Sequence, residues 1–384
     1  MNLYFAGSSH TLSSQWIIEN NLNRLLSQEI NRTEIDKITK LRKDGSYTGH
    51  ILIDSGAFTA HRQGIEIDVD EYIDYINSIS EYIDVYAQVD KIPGEFGKPK
   101  TQEQLLSAPQ ESWDNYLYMR PKMKEPDKLM PIYHQGESVK WLENMLEATF
   151  DGKHIPYIGI SPANDKSQAE KNRFIDTCFS IIRKSSNPNV QTHAYGMTNL
   201  STLSKYPFTS ADSTSWALTA VNGSIMTPWG NTPLSAQNTN SGAFRGRPPA
   251  EQQAIREHIA SKGFDIDNMI EASEDIVISR IAASSSLSPE DAREVLHSTV
   301  PRKPSKSLLL KKHESIQQTG KTLKTISPED AEVVKFEKGR SIKGEFEYKA
   351  YLERIHWNIL YLRDWAASHA YVPDTMRRKN LLHT

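Results

Sequence analysis

Residues 51–61 read Ile51-Leu52-Ile53-Asp54-Ser55-Gly56-Ala57-Phe58-Thr59-Ala60-His61, and this stretch decides the fold. Three consecutive aliphatic residues have the length and texture of a buried strand. Asp54 stops the run, and Ser-Gly-Ala follows as a small-residue turn whose backbone can come close to another group. Strands of this kind, spaced by helices, build a parallel sheet whose functional groups stand where the strands end.

Working outward, similar runs recur at Leu3–Ala6, Ile83–Val89, Leu129–Tyr133, Tyr157–Ile160, Val190–Tyr195, Tyr206–Ala211 and Ser224–Pro228. Most of the intervening segments have helical spacing: Trp16, Ile17, Leu22 and Leu25; Tyr72, Ile73, Ile76 and Ile79; Trp141, Leu142, Met145 and Leu146; Phe174, Ile175, Phe179 and Ile182. The gap from Asp90 to Lys128 is long and carries its Gly and Pro early, so it should hold a functional loop as well as a helix. Eight strands alternating with helices give an α/β chain, and eight closes a (β/α)8 TIM-like barrel. A doubly wound open sheet is the rival arrangement.

Beyond Gly230 the texture changes, dividing the chain into a barrel over 1–230, a loop and helical extension over 231–300, and a C-terminal region over 301–384. The loop carries Phe244-Arg245-Gly246-Arg247-Pro248-Pro249, and Ser288-Pro289-Glu290-Asp291 reads as an N-cap with acids in the first helical turn. Seven basic residues between Arg302 and Lys324 face one acid, Glu314. That stretch is either a nucleic-acid grip or a solvated linker. An aromatic-rich helix over Glu345–Ala370 follows, ahead of Arg377, Arg378 and Lys379.

Forty-five basic and 48 acidic side chains leave a net charge of −3, so a nucleic-acid partner has to be held by a local basic patch rather than a bulk field. The single cysteine, Cys178, rules out an internal disulfide framework and a cysteine-rich zinc site. No apolar run approaches the ~20 residues that span a bilayer, and the apolar N-terminal stretch has no basic region ahead of it. A cytoplasmic protein with no membrane contact is the expectation.

The polar residues that follow the strands are Asp54, Asp90, His134 with Gln135, Ser161, His193 and Asp212. A single aspartate after a strand is commonly a helix cap or turn former. Three of them plus a His-Gln pair at equivalent positions point to a common pocket. Two carboxylates facing one pocket suit chemistry at an acetal-like carbon, one attacking the anomeric centre and the other moving a proton on the leaving group. Phe58 is either a stacking face for a flat heterocycle or ordinary core.

At these residues the chain resembles the tRNA-guanine transglycosylase superfamily, closest to its zinc-lacking DNA 7-deazaguanine transglycosylase-like members. The matching pieces are Asp54-Ser55-Gly56-Ala57-Phe58, Asp90, Gln135-Gly136, Gly159, Gly196 with Met197, and Asp212, over about residues 1–230. The resemblance implies that Asp212 is the nucleophile at C1′ and Asp54 the general acid/base. It further implies that Asp90 and Gln135 hydrogen-bond the base edge, that the Gly159 and Gly196 backbones line the base pocket, and that Phe58 stacks on the base. His134 and His193 have no clear counterpart and are candidate phosphate or proton partners or structural histidines. Arg245 and Arg247 are candidate phosphate contacts. The three-Cys, one-His zinc site of the tRNA enzymes cannot be built from Cys178 alone, so DNA is favoured over tRNA as partner and neither metal nor cofactor is implied.

Two outcomes share the same aspartates. A free base entering as co-substrate gives exchange of guanine for a 7-deazaguanine, and water gives excision of a modified base, as a DNA glycosylase acting in defence against phage DNA would do. Either requires a duplex to present its base out of the stack. A barrel that binds nucleic acid without catalysis is the contrasting class.

Overall fold

The computed structural model describes residues 1–7, 11–95, 97–197, 199–234, 239–270, 278–279, 282, 287–297 and 342–369. The chain forms two compact units, Met1–Ser215 with Leu362–Thr384, and Trp216–Tyr361.

The first unit is built on nine strands: β1 (Asn2–Phe5), β2 (Arg24–Ser27), β3 (Ile51–Asp54), β4 (Val85–Ala87), β5 (Leu129–Met130), β6 (Ile132–His134), β7 (Tyr157–Ser161), β8 (Gln191–Ala194) and β9 (Ser210–Ser213). They form one sheet in the order β5-β4-β3-β2-β1-β9-β8-β7-β6. Every neighbouring pair is parallel. The sheet is barrel-shaped and nearly closed, and its two terminal strands are consecutive in the chain, with only Pro131 between them. Proline has no N–H to give to a ladder. The chain changes partners there: the Met130 carbonyl accepts from Gln88 N–H on one side, and the Pro131 carbonyl accepts from Gly159 N–H on the other.

Strand periodicity sends alternate side chains to opposite faces. One set, Tyr4, Leu52, Val85, Met130 and Tyr157, packs together with Leu25 and Tyr195 against it. The opposite set, including Leu3, Phe5, Leu26, Ile51 and Ile53, is equally buried. Both faces are therefore apolar, which is why these strands read as unbroken hydrophobic runs.

The helices follow the spacing of their apolar residues. In Val139–Glu147 the buried side chains are Trp141, Leu142, Met145 and Leu146. In Gln168–Ile182 they are Ile175, Cys178, Phe179 and Ile182, behind a capping box of Ser167 and Glu170. The long gap after Asp90 holds the helix Gln102–Met119, itself opened by a capping box of Thr101 and Gln104.

Three expected elements differ. Trp16, Ile17, Leu22 and Leu25 do not share one helix: the helix Thr11–Glu19 stops, Asn21 takes a left-handed φ of 53°, and Leu25 lies in β2. Asparagine tolerates that conformation, and Asn20-Asn21-Leu22-Asn23 is a helix stop. Ser224–Pro228 is not a sheet strand of the first unit; Ser224–Ile225 pairs antiparallel with Thr232–Pro233 in the second. The strand expected at Tyr206–Ala211 is instead Ser210–Ser213, because Tyr206 and Phe208 turn onto Phe179, with ring centroids 5.8 and 5.0 Å away.

The second unit packs Ile225, Leu234, Phe244, Ile255, Ile259, Ile266, Met269, Ile270 and Trp357 into its own core. The buried Asn358 side chain accepts from Met226 N–H at 2.8 Å and donates to the Trp216 carbonyl at 3.0 Å. Ser288 caps the helix Pro289–His297 by accepting from Asp291 N–H at 3.2 Å. The aromatic-rich helix runs from Ile342 to Ser368. The basic stretch Arg302–Lys324 and Arg377–Lys379 lie outside the described residues.

Candidate active site

Because all nine strands run parallel, their carboxyl ends share one rim, and the strand-end residues meet there. Asp54 is the last residue of β3. Its Oδ2 accepts from Gly56 N–H at 3.0 Å, which needs the turn Asp54-Ser55-Gly56 to fold back on itself. Gly56 does this at φ 85°, and a Cβ on it would lie 2.5 Å from Glu29 Cβ and 2.6 Å from Ser27 Oγ. No other residue fits. The Asp54 pKa is raised to about 7, first by burial and then by Asp90, with Asp212 adding to the rise and the Gly56 N–H opposing it. Asp54, Asp90 and Asp212 are thus close enough to feel one another's charge.

Asp90 lies three residues beyond β4. Its Oδ1 accepts from the buried Gln88 amide at 2.9 Å, and its Oδ2 lies 3.2 Å from His134 Nε2. The other ring nitrogen of His134 is 3.0 Å from Glu137 Oε1. Burial opposes charge on this ring, but Asp90 and Glu137 outweigh it and raise the pKa to about 10. His134 is therefore an imidazolium clamped between two carboxylates. A raised histidine pKa means that its stabilisation is full below the unfolded value near 6.5 and is lost as pH rises through about 10. Selective ring-labelled NMR is expected to find His134 still protonated at pH 8.5. A midpoint below 7 would contradict the clamp.

Asp212 sits in β9 and is 6% exposed. Gly196 N–H donates to its Oδ1 at 2.6 Å, and His193 Nε2 lies 3.3 Å from the same oxygen. No hydrogen bond from a described residue is recorded on Oδ2. Gly196 reaches this position at φ 58°, with open space where a Cβ would be. One carboxylate oxygen is held, and the other is free to act as a nucleophile.

Other expected site residues fall elsewhere. Phe58 stands on the helix Ala57–Gln63, 55% exposed, with the Arg62 guanidinium 6.0 Å from its ring centroid. It is not part of the core. The Gln135 amide is engaged with backbone, accepting from Ala163 N–H at 3.0 Å and donating to the Glu170 carbonyl at 3.3 Å. Arg245 and Arg247 belong to the second unit, where Arg247 pairs with Glu251 at 3.1 Å and Arg245 is exposed in the turn Phe244–Gly246.

Sequence reasoning missed Tyr195, Gln88 and Glu137. The Tyr195 hydroxyl is buried and has no hydrogen-bond partner among the described residues. Burial and then the charges of Asp54, Asp90 and Asp212 push its pKa well above that of a free phenol, so it remains a proton donor. Its ring covers Gly159: a Cβ there would lie 2.7 Å from Tyr195 Cε2. The small residue at 159 makes room for this tyrosine. The available signal was alternation, since Tyr195 is two residues beyond His193 and Gln88 two before Asp90. A cleft of about 810 Å³ is lined by Ala57, His61, Asp90, Lys91, Glu111 and Asn115 among others; Asp90 stands on its wall, and Asp54 and Asp212 do not line it.

The site therefore offers a partly buried carboxylic acid, an anchored carboxylate, an unused phenol and a cationic histidine. No protein-family model matches this chain, and no curated protein matches it. Among the described residues no helix is long and apolar enough to cross a membrane.

Proposed function

We propose that this chain cleaves the N-glycosidic bond of a base in DNA and exchanges guanine for a 7-deazaguanine. The observation that carries this reading is the contrast between two neighbouring carboxylates. Asp54 has its pKa raised to about 7, whereas Asp212 has one oxygen held by a backbone N–H, with His193 Nε2 3.3 Å from it, and the other unengaged among the described residues. Groups with environments this different divide into acid and nucleophile.

In the proposed reaction Asp212 Oδ2 attacks C1′. The electron pair of the C1′–N bond passes to the base nitrogen, which takes the proton from Asp54. The result is a free base and a glycosyl ester on Asp212. An incoming base then gives its N–H proton to Asp54 while its nitrogen displaces the carboxylate. Water in place of that base would yield hydrolysis and an abasic site. Asp90 supplies an acceptor and Tyr195 a donor for the extruded base. Resemblance over residues 1–230 and the lack of cysteines for a zinc subdomain favour DNA over tRNA.

The architecture we assign is a (β/α)8 barrel, with β5 and β6 counted as one strand interrupted at Pro131, extended by helices and a basic C-terminal region. We assign its work to the cytoplasm.

Incubation with DNA and labelled guanine or a 7-deazaguanine is the test, read by mass spectrometry of the nucleosides and by alkali-labile cleavage. Label incorporation without strand breaks is the expected result. Free base with alkali-labile sites would replace exchange by excision. Salt-dependent binding with neither product would leave a non-catalytic barrel.

A further inference from the structure

Strand register places a line of polar side chains beneath Asp212. His193 pairs with Ser210 across β8 and β9, and Asp212 follows Ser210 by two residues on the same face. His193 and Ser210 are both 0% exposed. His193 Nδ1 lies 2.5 Å from Ser210 Oγ, and that oxygen is also hydrogen-bonded to the Tyr157 hydroxyl. The opposite ring nitrogen, Nε2, faces Asp212 Oδ1 at 3.3 Å, outside hydrogen-bond alignment. The edges of Tyr4 and Tyr195 enclose the ring, at centroid distances of 5.8 and 4.6 Å.

A carboxylate only accepts hydrogen bonds, so a lone pair on Nε2 of this fully buried ring would face a negative oxygen at 3.3 Å. A proton on Nε2 is the favourable arrangement. In that tautomer Nδ1 is an acceptor, which obliges Ser210 to donate to it and leaves the Ser210 oxygen to accept from Tyr157. All the hydroxyls then point one way.

We propose that Tyr157, Ser210 and His193 form a buried relay that positions Asp212, with the hydroxyl of Ser210 selecting the Nε2–H tautomer that faces the carboxylate. His193 is a positioning residue in this scheme. Its contact with Asp212 is long in the free protein, as such contacts often are before substrate binds. Holding Oδ1 from two sides, by Gly196 N–H and His193, aims Oδ2 outward. This deepens the glycosyl-transfer reading and rests on it only for the kinetic part of its test.

The first measurement needs no substrate. The full chain labelled with ¹⁵N-histidine is compared with a His193→Gln variant to assign the ring, and two-bond ¹H–¹⁵N correlations then report its tautomer. The expected result is the Nε2–H form in the wild type, and its loss or mixing in Ser210→Ala. Ser210→Thr, which keeps the hydroxyl, restores it. An Nδ1–H ring in the wild type, or a tautomer indifferent to Ser210→Ala, overturns the proposal. The second measurement is single-turnover base release, where Ser210→Ala and Tyr157→Phe are expected to lower the rate at least about tenfold at unchanged KM, with recovery in Ser210→Thr. A wild type that releases no base, yet has the Nε2–H tautomer under Ser210 control, overturns the glycosyl-transfer reading and leaves the relay standing.

Discussion

Asp212→Ala is expected to lower base release from DNA by at least about 10³-fold while leaving DNA affinity close to that of the wild type. The side chain removed is the one whose Oδ1 is held by Gly196 N–H at 2.6 Å and whose Oδ2 is unengaged. In the proposed reaction it forms the bond that replaces the C1′–N bond. Asp212→Asn keeps the size and the Gly196 contact but removes the charge and most of the nucleophilicity. Intact-mass spectrometry after acid quench should therefore detect a glycosyl adduct on the wild type and none on Asp212→Asn. A variant within tenfold of the wild-type rate would remove Asp212 from the nucleophile's role.

Asp54→Asn is expected to abolish turnover and, at the same time, to stabilise the fold at neutral and alkaline pH. Burial and the neighbouring Asp90 lift this carboxyl from the ordinary carboxylate range to about 7. The native state thus holds the proton more tightly than the unfolded chain. Stability linked to this group is full below the unfolded pKa near 4 and declines as pH rises through about 7. The neutral amide escapes that loss. Side-chain exposure reduces the gain, which we place at ~1–3 kcal/mol above pH 7. Denaturant unfolding at pH 5 and pH 8 checks this: the variant's advantage should be small at the first and large at the second. Equal stability at both would mean that Asp54 titrates as an ordinary carboxylate. The wild-type rate of base release should correspondingly fall as pH rises through about 7, because departure of the base requires the protonated acid. A site that keeps a destabilising carboxyl trades stability for chemistry.

The site's electrostatics follow from its composition. Asp54, Asp90, Asp212 and Glu137 cannot all be charged at close range without compensation. His134 supplies one positive charge, and Asp54 takes up a proton. Burial first, and then the charges of Asp90 and Asp212, raise the proton affinity of Asp54, which is what its proposed acid/base role requires.

The amino-acid order alone was enough to mark most of the strands, because a sheet covered on both faces demands apolar runs such as Ile51-Leu52-Ile53, and to mark the polar residues that end them. It also marked several of the helices, whose buried residues recur at 3.6-residue spacing, as at Trp141, Leu142, Met145 and Leu146, but not the helix Gln28–Lys43. It misassigned β2, where Arg24-Leu25-Leu26-Ser27 is too short and too polar to stand out from the helix before it. Only the tertiary structure could separate the members of the site. Gly159 serves Tyr195, Gln135 is bound to backbone, and the phenol of Tyr195 is left unpaired among three carboxylates, all of which depend on which strands become neighbours. Proximity across a parallel sheet is set by register between segments tens of residues apart, and local sequence carries no record of it. The same holds for the proton affinity of Asp54, because its burial and its neighbours Asp90 and Asp212 exist only once the strands have met.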